Sequence, residues 1–103
     1  MAYCDSSLAA EIRKHYGDAH DASVVIMKQR GGYALFPSIE KTNEAIRTLK
    51  FKKRQMSRLL DKISLSDDLS EKEKTIVLER SKILLNNVVD WTNIALEGDY
   101  ILK

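Results

Sequence analysis

The longest regular pattern of apolar residues lies between residues 38 and 63, a stretch that contains no glycine and no proline. Apolar side chains recur there at steps of three, four and seven, which places them on one side of an α-helix. The repeat covers about three and a half heptads and therefore predicts a coiled-coil seam. We expect this seam to contain Ile46, Leu49, Lys53, Met56, Leu60 and Ile63.

The ends of the two long helical patterns carry capping signals. Ser38 is placed to cap the first of these helices. The second pattern runs from Ser70 to Leu96, and Ser70 and Glu73 have the spacing of a capping box. A short polar loop separates the two patterns, so that they predict a long antiparallel helical hairpin.

The second helix carries Trp91, the single tryptophan of the chain. It shares one helical side with Leu84 and Val88. We interpret Trp91 as a core anchor between helices, and the alternative is a hot spot on an exposed groove.

The first 37 residues have shorter patterns that glycines interrupt. Leu8, Ile12 and Tyr16 lie at helical spacing, and Gly17 is placed to end a short helix. Such a short helix is not stable alone in water, so we expect it to dock on the helical hairpin or on a neighbouring molecule.

A Gly-Gly pair at residues 31 and 32 separates two short apolar runs, 23–27 and 33–36. This arrangement predicts a small β-hairpin. The alternative is that residues 22–29 are helical, because short apolar runs do not distinguish a strand from a helix.

The predicted fold is therefore mainly α and forms one domain over residues 1–103. Residues 1–37 form the short helix and the β-hairpin, and residues 38–103 form the helical hairpin and the C-terminal tail. The apolar heptad seam packs against another helix in stable structures, and an isolated two-stranded hairpin is only marginally stable. We therefore expect a homodimer or a higher homo-oligomer to complete the fold.

Charge is divided unequally between the two long helices. Residues 38–63 contain eight Lys and Arg against three Asp and Glu, whereas residues 64–99 contain four against eight. Steps of three and four align several basic residues along one side of the first helix. This basic stripe consists of Arg47, Lys50, Arg54 and Arg58, with Phe51 beside it and off the seam.

The basic stripe has two interpretations. Its cations pair with acidic flanks of another helix or another copy, or they bind phosphate groups. We favour pairing because the net charge of the whole chain is only +2 and because Phe51 is the single aromatic residue among these cations.

The sequence contains no motif typical of an enzyme. His15, Asp18, His20 and Asp21 have metal-ligand side chains, but the two histidines are five residues apart, unlike the i, i+4 pairs of helical metal sites. Neither a phosphate-binding glycine loop nor a Gly-x-Ser-x-Gly elbow is present. We predict no enzymatic activity, no metal and no cofactor.

The chain has one cysteine, Cys4, and therefore no intramolecular disulfide, which is compatible with a reducing compartment. It has no apolar run of membrane-spanning length and no secretory signal at its start, so we predict a cytoplasmic protein without a membrane partner.

These features favour a small regulatory or adaptor protein that binds another protein through its helical faces. The first alternative is a nucleic-acid-binding regulator that uses the basic stripe. The second is a ligand-sequestering oligomer with a pocket between subunits.

Overall fold

Three α-helices form the protein in the computed structural model, which describes residues 7–31, 38–67 and 69–101, with backbone only for 98–101. The helices are α1 (Ser7–Arg30), α2 (Ile39–Ser64) and α3 (Glu71–Ile101). They run up, down and up in a bundle of 50 × 22 × 16 Å. The described residues include no β-strand, and the prediction of a mainly α protein is confirmed.

The apolar seam of α2 lies inside this bundle. Leu49, Met56 and Ile63 are fully buried, each with 0% of its surface exposed. Ile46 and Leu60 are also buried, whereas Lys53 is half-buried. Burying one such apolar side chain contributes about 1.5–3 kcal/mol. The seam is therefore the centre of the core of a single chain.

Helix α1 is longer than the sequence predicted. It continues through Gly17 to Arg30. The predictions of a short helix that ends at Gly17 and of a β-strand at residues 23–27 are therefore wrong. The second strand, at residues 33–36, lies outside the described residues. The helical alternative for residues 22–29 is the one that the structure supports.

Small and apolar side chains explain this continuation of α1. Ala19, Ala22 and Ile26 are buried and extend the apolar side that begins with Ala9 and Ile12. Gly17 does not adopt the left-handed backbone conformation that ends many helices. Burial beyond Gly17 therefore outweighs the low helix propensity of that glycine.

The long α1 packs over the apolar seam of α2, which we expected other copies of the chain to cover. α1 packs extensively on α2, and α3 packs on α2 and, less closely, on α1. The seam is thus buried without a second molecule, and homo-oligomer formation stays a prediction.

Both predicted N-terminal caps are confirmed. The Ser38 hydroxyl accepts a hydrogen bond from the Lys41 backbone N–H, at 3.2 Å. The Ser70 hydroxyl accepts from the Glu73 N–H, while the Glu73 carboxylate accepts from the Ser70 N–H, both at 3.2 Å. The Ser38 N–H also donates to the Gln29 side chain at 2.6 Å, which joins the end of α1 to the start of α2.

Gly17→Ala tests the continuity of α1. A Cβ at this position meets no atom within 4 Å, and alanine has a higher helix propensity than glycine. We expect the free energy of unfolding, measured by urea denaturation, to rise by about 0.5–1 kcal/mol.

Ala10→Gly, at an exposed position of the same helix, is the matched control and should lower the free energy of unfolding by a similar amount. A loss of stability in Gly17→Ala would indicate a left-handed helix end at residue 17 and contradict a continuous α1.

Candidate interaction surfaces

The basic stripe lies on the exposed side of α2. Arg47, Lys50, Arg54 and Arg58 are all exposed, and Phe51 beside them has 46% of its surface exposed. None of these four cations forms an ion pair or side-chain hydrogen bond among the described residues. Pairing within one chain, as the sequence analysis favoured, is thus not seen, and the stripe is accessible to a partner.

Lys52 forms the principal polar contact between α1 and α2. Its ammonium lies 3.1 Å from Asp18 Oδ2 and 3.2 Å from His15 Nδ1, and its side chain is 17% exposed. The residue pattern of α2 alone does not predict this contact. His15 and Asp18 are three residues apart, a spacing that places two side chains on the same side of a helix. This spacing could have indicated a shared contact, but only if α1 continues past Gly17.

The contact with Lys52 defines the state of His15. An ammonium group can only donate, so Nδ1 must accept, which requires a neutral imidazole with its proton on Nε2. Burial, followed by the nearby charge of Lys52, lowers the pKa of His15 from its usual 6.5, while Asp18 opposes this shift. Protonation of His15 would therefore weaken the junction between α1 and α2.

A groove runs along the boundary between α1 and α3, the pair of helices that pack least closely. Two cavities lie along it. The C-terminal cavity, of about 420 Å³, is lined by side chains that include Met27, Trp91 and Ile94. The N-terminal cavity, of about 400 Å³, is lined by side chains that include Ile76 and Ile83. We call the two cavities together the α1–α3 groove.

Large apolar side chains along the groove remain exposed. Ile83 and Ile94 have 62% and 65% of their surface exposed, and Met27 has 56%. The structure places Val77, Val88 and Ala95 in the core instead, together with the small polar residues Ser81 and Thr92.

Aromatic side chains separate the two cavities. The rings of Tyr16 and Trp91 lie 5.3 Å apart, and the His20 ring meets Trp91 edge-on at 5.6 Å. The Asn87 amide donates to the Tyr16 hydroxyl at 3.2 Å. Trp91 is half-buried against the core, as expected of a core anchor. It also lines the C-terminal cavity, as expected of a residue in a groove.

Arginines provide the charged part of the groove. Arg13 and Arg80 line the N-terminal cavity, and Arg30 lines the C-terminal cavity. The Arg30 Nη1 also donates to the backbone carbonyl of Ala95 at 2.7 Å, which joins α1 to α3. Among the described residues, neither cavity lining includes Asp or Glu. The described lining of the groove therefore combines apolar side chains with three arginines.

The described residues include no group of three or more His, Cys, Asp or Glu that could hold a metal ion. His15 and His20 instead contact Lys52 and Trp91. Among the same described residues, no helix has the length and apolar character needed to cross a membrane. Comparisons with protein-family models, curated proteins and solved structures found no match to this chain.

His15→Gln tests the role of the junction with Lys52. The unfolded chain takes up a proton at His15 near pH 6.5, whereas the folded protein takes it up at lower pH. The His15 contribution to stability is therefore complete above pH 6.5 and falls as the pH drops towards the lowered pKa. We expect wild type to lose more stability than His15→Gln between about pH 7.5 and about pH 5.5 in urea denaturation.

His20→Gln is the matched control, because it removes the other imidazole and leaves His15 beside Lys52. His20→Gln should lose as much stability as wild type over the same pH range. An identical loss in wild type and in His15→Gln would exclude His15 as the source of this pH dependence.

Proposed function

We propose that this protein is a small cytoplasmic regulator or adaptor without enzymatic activity, and that it binds another protein through the α1–α3 groove. The exposure of large apolar side chains along a single helix boundary supports this proposal. Met27, Ile83 and Ile94 are each more than half exposed although they border a close-packed core. Large apolar side chains exposed along one helix boundary are typical of protein-binding sites.

The energetics favour a partner over solvent at the groove. Covering an apolar side chain of this size fully contributes up to about 3 kcal/mol, and the exposed part of each is available to a partner. Trp91 lines the C-terminal cavity, where a partly buried aromatic ring provides a rigid contact surface. A ligand of peptide size matches cavities that lie end to end along the helices.

A second candidate function is nucleic-acid binding by the basic stripe. The observation that favours it is the exposure of four aligned cations without ion pairs among the described residues. Arg47 and Arg58 are 11 residues apart, which corresponds to roughly 16 Å along the helix. Such a row of charges has the form of a phosphate-binding surface. A homodimer that pairs the stripe with acidic residues of a second copy is the remaining alternative.

Photo-crosslinking tests the protein-binding proposal. A photoreactive phenylalanine placed at Ile83 or at Ile94 should capture a discrete protein in the source cells, identified by mass spectrometry. The purified partner should then bind the wild-type protein in isolation. The same group at Ser57, an exposed residue of α2, is the control and should not capture that partner. Capture that is equal at all three positions, or absent at all three, would contradict binding through the groove.

Charge reversal tests the nucleic-acid candidate. If the stripe binds phosphate, Arg54→Glu combined with Arg58→Glu should weaken binding to labelled duplex DNA or single-stranded RNA at least about tenfold in fluorescence anisotropy. The slope of log Kd against log salt should also decrease by about 2.

Lys72→Glu combined with Lys82→Glu makes the same change in net charge on exposed positions of α3. This control should retain most of the affinity, and all variants should retain helical circular dichroism. A wild-type protein that binds neither nucleic acid, even at low salt, would exclude this function.

A further inference from the structure

We infer that the basic stripe, together with Phe51, binds a single-stranded nucleic acid, with one base stacked on the Phe51 ring and the flanking phosphates on the cations. This inference rests on the second candidate function, because it specifies which form of nucleic acid the stripe takes. It is independent of protein binding, which concerns the α1–α3 groove.

The exposed side of α2 brings the aromatic ring and the cations together. At 3.6 residues per turn, five exposed side chains fall within an arc of about 100° around the helix. They are Arg47, Lys50, Phe51, Arg54 and Arg58. An exposed carboxylate lies beyond each end of this row, at Glu44 and at Asp61. The row of positive charge between them is therefore short, roughly 16 Å from Arg47 to Arg58.

The cations of the stripe are available to phosphate groups. None of the four forms an ion pair or a side-chain hydrogen bond among the described residues. Arginine and lysine side chains contact phosphate oxygens without reading the base sequence. Because phosphates repeat along a strand, a row of cations contacts several of them at once.

Phe51 provides a surface for a base. It is 46% exposed, and the Lys52 ammonium lies over its ring, 5.7 Å from the ring centroid. Lys52 is itself held at the junction of α1 and α2, 3.1 Å from Asp18 and 3.2 Å from His15. The ring therefore lies against a fixed cation, and its exposed part is open to stacking with a base.

Stacking on Phe51 requires a single strand. A duplex keeps the faces of its bases inside the helical stack and presents only base edges and phosphates. A single strand can turn a base out onto an aromatic side chain. Along α2, Arg47 lies about 6 Å before Phe51 and Arg54 about 4.5 Å after it. The two phosphates that flank a base on Phe51 thus meet cations on both sides.

Fluorescence anisotropy with short labelled oligonucleotides, as single-stranded RNA, single-stranded DNA and duplex DNA, provides the test. Phe51→Leu keeps an apolar side chain but removes the ring. We expect it to weaken binding of both single strands at least about fivefold and to change duplex binding less than about twofold. Phe51→Tyr keeps the ring and is the matched control, which should bind single strands like wild type. Both variants should retain helical circular dichroism, because Phe51 is exposed.

The salt dependence separates charge from stacking. Four neutralised phosphates on a single strand give a slope of log Kd against log salt of about 3 in wild type. Phe51→Leu should keep this slope because it removes no charge, whereas Arg54→Glu combined with Arg58→Glu should reduce it.

Three results would overturn the inference. Unchanged single-strand binding in Phe51→Leu, or equal weakening of single strands and duplex, would show that the stripe binds phosphate without stacking and would leave the second candidate function intact. Absence of binding to every oligonucleotide at low salt would reject that candidate function as well. A dimer in light scattering that high salt dissociates and oligonucleotides do not displace would identify a second copy as the occupant of the stripe.

Discussion

The packing of α1 across the apolar side of α2 is the interaction on which the rest of the structure depends. α2 presents a row of fully buried side chains, among them Leu49, Met56 and Ile63. A hairpin of α2 and α3 alone would leave part of this row in water. α1 covers it with small residues such as Ala19 and Ala22, which allow the two helices to approach closely. Lys52 adds a polar contact to Asp18 and His15 at the same junction.

Both candidate interaction surfaces follow from this arrangement. Because α1 and α3 each pack mainly on α2, they contact each other less, and the α1–α3 groove remains between them. The side of α2 that faces neither helix carries the basic stripe, where Arg54 and Arg58 are exposed. The apolar groove and the basic stripe are therefore separate surfaces, and a variant of one leaves the side chains of the other unchanged.

The sequence predicted the parts of the fold that have strong local signals. The seam of α2 and the caps at Ser38 and Ser70 depend on spacing within one helix, which a sequence shows directly. The continuation of α1 was missed because Gly17 has the features of a helix end and because the buried residues beyond it are mostly alanines. The groove depends on how three helices pack, so that the exposure of Ile83 and Ile94 could not be obtained from periodicity alone.

The most direct measurement is an isotope-filtered NOE experiment on a mixture of labelled and unlabelled protein, observing the contact between the Tyr16 and Trp91 rings. These rings lie 5.3 Å apart, on α1 and α3 of one chain. The account predicts NOEs between them within labelled molecules, because one chain completes its own core. NOEs only between labelled and unlabelled molecules, or none at all, would show that α1 packs on another copy or elsewhere, and would contradict it.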